Sequence, residues 1–267
     1  MNQKHIRFDW AVKKILRSKA NFGIIEGFLS ELLKEDIHIK EIIESDSNKE
    51  SEDDKFNRVD ILVKNSKNEL IIVEIQNTKE IDYFHRVMYG TSKVITEHIK
   101  KGAQYKDIKK VISVNIVYFD LGQGEDYIYH GKTVFKGFHN YDEVLQLSQD
   151  QKELFNKTAV SDLFPDYYII KVNQFDYIAK DTLDQWIYFF KNSEIKKEFN
   201  AKGLAEAREK LKEVNLNDKD IRAYKRFEEY LMEEASMALT INFEKEQAEK
   251  KVRKDNSTEI AKKSLKK

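Results

Sequence analysis

Two carboxylates and an amide interrupt the most apolar stretch of this chain. Asp60, Glu74 and Gln76 lie in VDILVKNSKNELIIVEIQ, residues 59–76, among aliphatic residues on either side of a short polar turn. Burying a charge without a partner is costly. These side chains are therefore expected either to be neutralised by cations or to serve a site that needs their charge.

The two apolar runs around that turn predict a pair of antiparallel strands. Strand side chains alternate between faces, so Glu74 and Gln76 share one face. A three-residue turn at residues 66–68 would place Asp60 opposite Glu74, with Cβ atoms ~4.5–5.5 Å apart. A two-residue turn would put the two carboxylates on opposite faces. In the first register, mutual repulsion of the carboxylates favours a proton or a cation between them.

Carboxylate oxygens are hard ligands that suit Mg²⁺ or Mn²⁺, with water completing the coordination. A divalent ion held there polarises a phosphoryl oxygen and lowers the pKa of a water molecule, which is hydrolytic chemistry. Gln76 could orient water or a phosphate oxygen, but an amide cannot supply the electrostatic stabilisation of a lysine. The alternative is structural: Asp60 and Glu74 pair with Arg58, Arg86 or lysines. Residue types alone do not decide between the two.

The surrounding elements predict a mixed sheet flanked by helices, an α/β fold. Apolar spacing of three and four residues predicts helices over 9–18, 22–34 and 79–101, the last capped by Gly102. Strands are predicted over 37–46, 59–64, 70–76, 111–120 and 126–137. The acidic run 44–55 is predicted to be a solvated loop.

The second half of the chain is predicted to be helical, over residues 181–199 and 218–254. Trp186, Ile187 and Phe190 repeat at helical spacing and are assigned to the core. Pro165, the only proline, marks the predicted end of the β-containing part. The chain is accordingly divided into a core of residues 1–160 and a helical region of residues 161–267.

The last 23 residues, 245–267, hold nine Lys and Arg against four Asp and Glu. This charged tail could touch nucleic acid, although a solvated helix is the favoured interpretation. Over the whole chain of 267 residues, 47 basic residues balance 47 acidic ones, so overall basicity gives no argument for a nucleic-acid partner.

Composition excludes several classes of protein. There is no cysteine, which rules out disulfides, thiolate nucleophiles and sulfur-ligated zinc. Without an apolar signal segment or a run of ~20 apolar residues, a soluble cytoplasmic protein is expected. The HGKT stretch at residues 130–133 lacks the earlier glycine of a phosphate loop.

The order of motifs resembles a known family. An Asp in VD, a turn, IIVEIQ, a helix and a buried strand together resemble the PD-(D/E)XK nucleases. More narrowly, they resemble the recombination-promoting nucleases, also described as PD-(D/E)XK nuclease family transposases, in which Glu-x-Gln commonly replaces Glu-x-Lys. FDWAVKKIL, FHRVMYGTSKVI, YKDIKKVISVNIVYFD and EIAKKSLKK are also family-like. The resemblance implies a restriction-endonuclease-like core with a helical C-terminal region.

The resemblance also implies site residues. Asp60 and Glu74 would bind Mg²⁺ or Mn²⁺, and Gln76 would occupy the position of the lysine. Arg86 and Tyr89, three residues apart on the following helix, would hold the scissile phosphate.

An acidic residue of the first helical region would complete that site. Glu26 is the preferred candidate, and Glu31 and Asp9 remain alternatives. The family often has Asn where this chain has Ser30.

The expected function is that of a metal-dependent endonuclease acting on double-stranded DNA with little base specificity, in recombination or mobile-element processing. The main alternative is a weak or inactive relative that binds DNA or protein, with a second copy of the chain as candidate partner for the long C-terminal helix. A third interpretation is a scaffold without a site, which requires Asp60 and Glu74 to be used in salt bridges and would be favoured by a structure in which the two lie far apart.

Overall fold

The computed structural model describes residues 5–14, 16, 18–43, 60–99 and 102–264. By its internal contacts the chain forms two compact units, Met1–Asn215 and Leu216–Lys267. The first unit contains a six-stranded sheet and six α-helices within its described residues. In the second, a single long helix is described.

The sheet is mixed, as the sequence predicts. Its strands are β1 (Ile39–Ile43), β2 (Ile61–Asn65), β3 (Leu70–Gln76), β4 (Val111–Val117), β5 (Ile128–Gly131) and β6 (Asp166–Lys171). They lie in the order β1-β2-β3-β4-β6-β5. β3, β4 and β6 run parallel to one another, and the outer pairings are antiparallel. The α/β class is confirmed.

The helices of the described residues are α1 (Phe8–Lys14), α2 (Phe22–Leu33), α3 (Tyr83–Glu97), α4 (Gln149–Phe155), α5 (Thr182–Asn192), α6 (Leu204–Lys210) and α7 (Asp218–Ser264). Aromatic side chains join α1, α2 and α5: Phe8 stacks on Phe190, with 4.4 Å between ring centroids, and Phe28 lies against both Phe190 and Trp186. The predicted core residues Trp186, Ile187 and Phe190 are buried. In the described part of the chain, no helix is both long and apolar enough to cross a membrane.

The β2–β3 hairpin has the register that a three-residue turn predicts. Leu62 lies opposite Ile72. Asn68 takes the left-handed conformation, φ 61°, that such a turn requires at its third position. The side chain of Asn65 accepts hydrogen bonds from the backbone N–H groups of Lys67 and Glu69, which stabilises the turn.

The parallel strands align the residues that concern the site. Glu74 pairs with Asn115, and in the next row Gln76 pairs with Val117, which pairs with Lys171. α3 covers this face of the sheet: Val94 packs with Leu62, Ile72 and Val111 in one buried cluster. The opposite face, represented by Ile71, Val73 and Ile75, is buried too. Burial on both faces explains the nearly continuous apolar runs.

β6 was not predicted from the sequence. It begins directly after Pro165 and lies inside the sheet, so the β-containing part of the chain extends beyond the predicted division at residue 160. Asp166 at its start, two tyrosines and Lys171 at its end leave only a pair of isoleucines as an apolar signal. Pairing with β4 and β5 compensates for the weak local signal.

Helix ends differ from the predicted bounds. α3 stops at Glu97 with His98 as its C-cap, and Gly102, with φ 84°, lies beyond the helix end rather than at its cap. α1 ends at Lys14, and α5 ends at Asn192 because Ser193 adopts the left-handed conformation.

Candidate active site

The side chains of Asp60 and Glu74 are held next to each other by hydrogen bonds from backbone N–H groups of the two strands. The backbone N–H of Asp60, just before β2, donates to Glu74 Oε2 at 3.1 Å. In return, Asp60 Oδ2 accepts from the backbone N–H of Ile75 at 2.7 Å. The two carboxylates therefore lie side by side at one edge of the sheet, as the predicted register requires. A separation of the two carboxylates, which would have favoured the scaffold interpretation, is not observed.

Arg86 connects this pair to a third carboxylate. From α3 its Nη2 donates to Glu74 Oε1 at 2.6 Å, and its Nη1 donates to Glu80 Oε1 at 2.7 Å. Gln76 Nε2 donates to the same Glu80 oxygen at 2.7 Å. One ion pair of the structural alternative, Arg86 with Glu74, is thus present, while Arg58 lies outside the described residues.

The environment of Glu74 disfavours its ionised form. Burial, followed by the neighbouring charge of Asp60, raises the pKa of Glu74 to about 7, although the Arg86 guanidinium acts in the opposite direction. Burial and the charge of Glu74 also raise the pKa of the Tyr83 hydroxyl. A gap of about 20 Å³, room for one water molecule, lies among Glu74, Tyr83, Arg86 and Asn115.

The donor set at this edge fits a divalent ion. Asp60 and Glu74 offer carboxylate oxygens, the preferred ligands of Mg²⁺ and Mn²⁺. The guanidinium of Arg86 at Glu74 shows that the carboxylate already attracts positive charge. Among the described residues no cluster of three or more Asp, Glu, His or Cys side chains could hold a metal. An ion here would thus take these two protein side chains and complete its coordination with water.

The preferred first-helix candidate lies elsewhere. Glu26 Oε1 accepts from the backbone N–H of Ile39 at 2.6 Å, at the start of β1. Ile39 pairs with Asn65, at the turn end of the β2–β3 hairpin, whereas Asp60 lies at the other end. The structure therefore does not bring Glu26 to the carboxylate pair. Helical periodicity identifies the face of a helix, but it does not say which end of the sheet that helix meets.

The two alternative acidic residues differ. Glu31 is engaged in holding chain segments together, because it accepts from the backbone N–H of Lys202 and from the hydroxyl of Thr182. Asp9 is buried and bound by the guanidinium of Arg7 through both oxygens.

Asp9 is also linked to the edge of the sheet that carries Gln76. Arg7 Nη2, besides binding Asp9, donates to Asn77 Oδ1 at 3.3 Å, and Asn77 directly follows Gln76. Of the three acidic candidates, Asp9 is therefore the one whose contacts lead to this edge.

Arg86 and Tyr89 have different surroundings although they lie three residues apart on α3. Arg86 points to the sheet and bonds Glu74, whereas Tyr89 is nearly half exposed and does not line the gap beside Glu74. The structure thus brings Arg86, Gln76 and the two carboxylates together and leaves Tyr89 at the solvent-facing rim.

Glu80 and Asn115 were not predicted from the sequence. Glu80 lies in the short loop between β3 and α3, where no periodicity marks it. Asn115 is buried beside Glu74, and its Nδ2 donates to Ser113 Oγ and to the carbonyl of Tyr168. Ser113 and Asn115, two residues apart in an apolar strand, were the available signal, since they share the face of Glu74.

Comparison with known proteins and protein families identifies the family of this chain. No curated protein and no solved structure matches the chain. The model of the family described as PD-(D/E)XK nuclease family transposase matches residues 6–240, a range that includes every strand of the sheet and the network from Asp60 to Arg86. A mixed sheet with flanking helices is consistent with the restriction-endonuclease-like fold of PD-(D/E)XK nucleases. Because the match covers most of the chain, the protein belongs to the PD-(D/E)XK nuclease family transposases.

Proposed function

We propose that this protein is a metal-dependent DNA endonuclease that hydrolyses phosphodiester bonds in recombination or mobile-element processing. The observation that carries the proposal is the contact between Asp60 and Glu74 at one edge of the sheet, in a chain that belongs to a nuclease family. The substrate would be double-stranded DNA cut with little base specificity, since the sequence contains no recognisable base-reading module.

Each of the residues brought together at the candidate site has a role in this proposal. Asp60 and Glu74 would hold Mg²⁺ or Mn²⁺. When bound, such an ion polarises a phosphoryl oxygen and lowers the pKa of a water molecule. Gln76 directs its Nε2 to Glu80, which leaves its amide oxygen to accept a hydrogen bond from the attacking water. Arg86 offers positive charge to the scissile phosphate, and Tyr89 contacts the phosphate backbone at the rim.

The test is nicking of a supercoiled plasmid by the purified protein with Mg²⁺, with Mn²⁺ and with EDTA. We expect nicking with either ion and none with EDTA, and we expect Asp60→Asn prepared in the same way to be inactive. Nicking that survives Asp60→Asn would contradict the proposed site. Absence of nicking with both ions would contradict the proposed activity.

Glu80 is expected to position Gln76 and Arg86 for this reaction. Glu80→Ala removes the acceptor of both side chains, so kcat should fall about 10-fold while DNA affinity stays near that of wild type. Glu80→Gln retains one acceptor oxygen and should recover part of the loss.

Single-turnover nicking and a separate DNA-binding titration measure the two quantities. Glu97→Ala, on an exposed glutamate at the far end of α3, serves as the control and should change neither. Equal losses in kcat and DNA affinity for Glu80→Ala would contradict a positioning role.

A second candidate function is a weak or inactive relative that binds DNA or protein. Two contacts favour it. Arg86 already forms an ion pair with Glu74, and the uncharged Gln76 is in the position where related nucleases have a charged lysine. The two candidates differ in their response to metal: an active site should gain thermal stability on adding Mn²⁺, and Asp60→Asn should remove that gain.

A further inference from the structure

An open groove adjoins the candidate active site on the same face of the sheet. It encloses about 440 Å³, a volume typical of small-molecule sites. α3 supplies one wall with Phe84, Val87 and Met88, and the sheet supplies the other, with Tyr129 on β5 and Tyr167 and Ile169 on β6. Val87 also lines the small gap beside Glu74, so the groove and the site share a wall.

The wall residues are exposed although they are apolar. Phe84 is 54% exposed and Met88 is 56% exposed, on a helix whose opposite side is buried against the sheet. Flat aromatic rings and a polarisable thioether suit a planar ligand, because such a ligand can stack on the rings and contact the sulfur.

Lys171 places an unpaired polar group beside a wall of this groove. It follows Tyr167 and Ile169 on the same face of β6 and is almost fully buried. Its Nζ has no hydrogen-bond partner among the described residues and lies 5.6 Å from the ring centroid of Tyr129, a wall residue. A buried nitrogen that lacks an acceptor costs free energy, so a ligand oxygen or ring nitrogen that reaches it would be favoured. The groove therefore favours a planar ligand that carries hydrogen-bond acceptors.

We propose that this groove binds an unpaired nucleobase of the DNA substrate. A nucleotide combines a flat, stackable base with a phosphate, and the shared wall at Val87 places the groove next to the residues assigned to the scissile phosphate. This inference rests on the proposed function and narrows its substrate. The preferred DNA carries an unpaired segment next to the cleavage position, such as a tail, a junction or a locally opened duplex, rather than an uninterrupted duplex.

The experiment measures binding in EDTA, so that cleavage does not interfere. The probes are a blunt duplex and the same duplex with a short single-stranded tail, and a 2-aminopurine in the tail reports stacking by its fluorescence. Phe84→Ala and Met88→Ala are compared with Phe138→Ala and Met237→Ala, matched changes at exposed residues outside the groove.

We expect wild type to bind the tailed DNA more tightly than the blunt DNA and to quench the 2-aminopurine. Phe84→Ala should weaken tailed-DNA binding by about 5- to 150-fold, the range for losing one base–aromatic stack. Blunt-duplex affinity should not change, and the two control variants should behave as wild type. Replacing the tail bases with abasic sites should lower the affinity of wild type for tailed DNA by a similar factor. Combining abasic sites with Phe84→Ala should lower the affinity little further.

Equal affinities of wild type for tailed and blunt DNA would overturn the inference, as would groove variants that weaken both probes equally. Variants that bind both probes like wild type would also overturn it and would make a protein segment the alternative occupant. The plasmid assay tests the proposed activity separately. If the wild type nicks DNA with metal but the groove variants bind tailed DNA as tightly as wild type, only this inference is rejected. If the wild type stacks on the tail but does not nick, only the proposed activity is rejected.

Discussion

Glu74→Gln is expected to abolish metal-dependent nicking and, at the same time, to remove a pH-dependent loss of stability. The activity should fall by at least about 10²-fold, because the substitution removes one of the two carboxylates proposed to hold the ion, and the amide lacks the charge that would attract it. The effect on stability follows from where Glu74 lies: buried, beside Asp60, with its pKa raised to about 7.

The sign of that effect follows from proton binding. The ordinary pKa of this carboxyl is 4.5, so between about pH 4.5 and pH 7 the folded protein holds a proton that the unfolded chain has released. Stability therefore falls as pH rises through this window, and the loss is complete above the folded pKa. Because a tenfold change in proton affinity corresponds to about 1.4 kcal/mol, the loss amounts to roughly 3 kcal/mol, as an order of magnitude.

The amide introduced by Glu74→Gln does not titrate, so the variant should lack this decline. Its nitrogen cannot accept the backbone N–H of Asp60, which adds a cost that is the same at every pH. The expected result is a difference in stability, variant minus wild type, that shifts in favour of the variant by roughly 3 kcal/mol between about pH 4.5 and pH 7.

Urea unfolding at about pH 4.5, 6, 7 and 8 measures that difference. Glu41→Gln is a suitable control, since Glu41 is exposed and its pKa is lowered by the Lys64 ammonium, so its removal should not produce a shift in this direction. Parallel pH profiles for wild type and Glu74→Gln would contradict the prediction. At about pH 8, Mg²⁺ should stabilise wild type and leave the variant unchanged.

The sequence could predict the carboxylate pair because two strong constraints coincide there. Alternation along β3 places Glu74 and Gln76 on one face, and the three-residue turn sets which residue of the other strand lies opposite. Both constraints are local, so neither needs knowledge of the rest of the fold. Once the three-residue turn is chosen over the two-residue turn, the position of Asp60 opposite Glu74 follows from them.

Features that depend on contacts between distant parts of the chain were harder to predict from the sequence. Glu26 lies on a correctly predicted helix, but its contact with Ile39 depends on how α2 docks against the sheet. Glu80 lies in a loop that only the packing of α3 brings to Gln76. β6 pairs with β4, a strand that lies far earlier in the chain, and the composition of β6 does not predict a strand. Periodicity carries no information about such long-range contacts.

Arg86→Met is expected to separate ion binding from cleavage. Methionine keeps much of the apolar stem of arginine and removes the guanidinium that bonds both Glu74 and Glu80. A divalent ion at Glu74 no longer meets a positive charge on the same carboxylate, so its affinity should rise on the order of 10-fold. Nicking should nevertheless fall by about 10²–10³-fold, because the positive charge proposed to stabilise the scissile phosphate is lost.

The same substitution should affect stability in a pH-dependent way. The guanidinium lowers the pKa of Glu74, so without it the carboxyl stays protonated to higher pH and its ionisation becomes more costly. Stability should therefore decrease mainly above about pH 7, by about 1–2 kcal/mol once solvent screening of this partly exposed pair is allowed for.

Calorimetric Mn²⁺ titration and single-turnover nicking provide the two measurements. Arg86→Lys is the matched control: it keeps the charge but lacks the planar set of donors with which the guanidinium bonds two carboxylates, so ion affinity should stay near that of wild type while nicking drops. If Arg86→Met loses Mn²⁺ affinity, the guanidinium supports the ion site instead of competing with it, and the assignment of Arg86 to the phosphate fails. If ion affinity rises while cleavage falls, Arg86 acts on the substrate, and the ion pair with Glu74 is the contact that an incoming metal replaces.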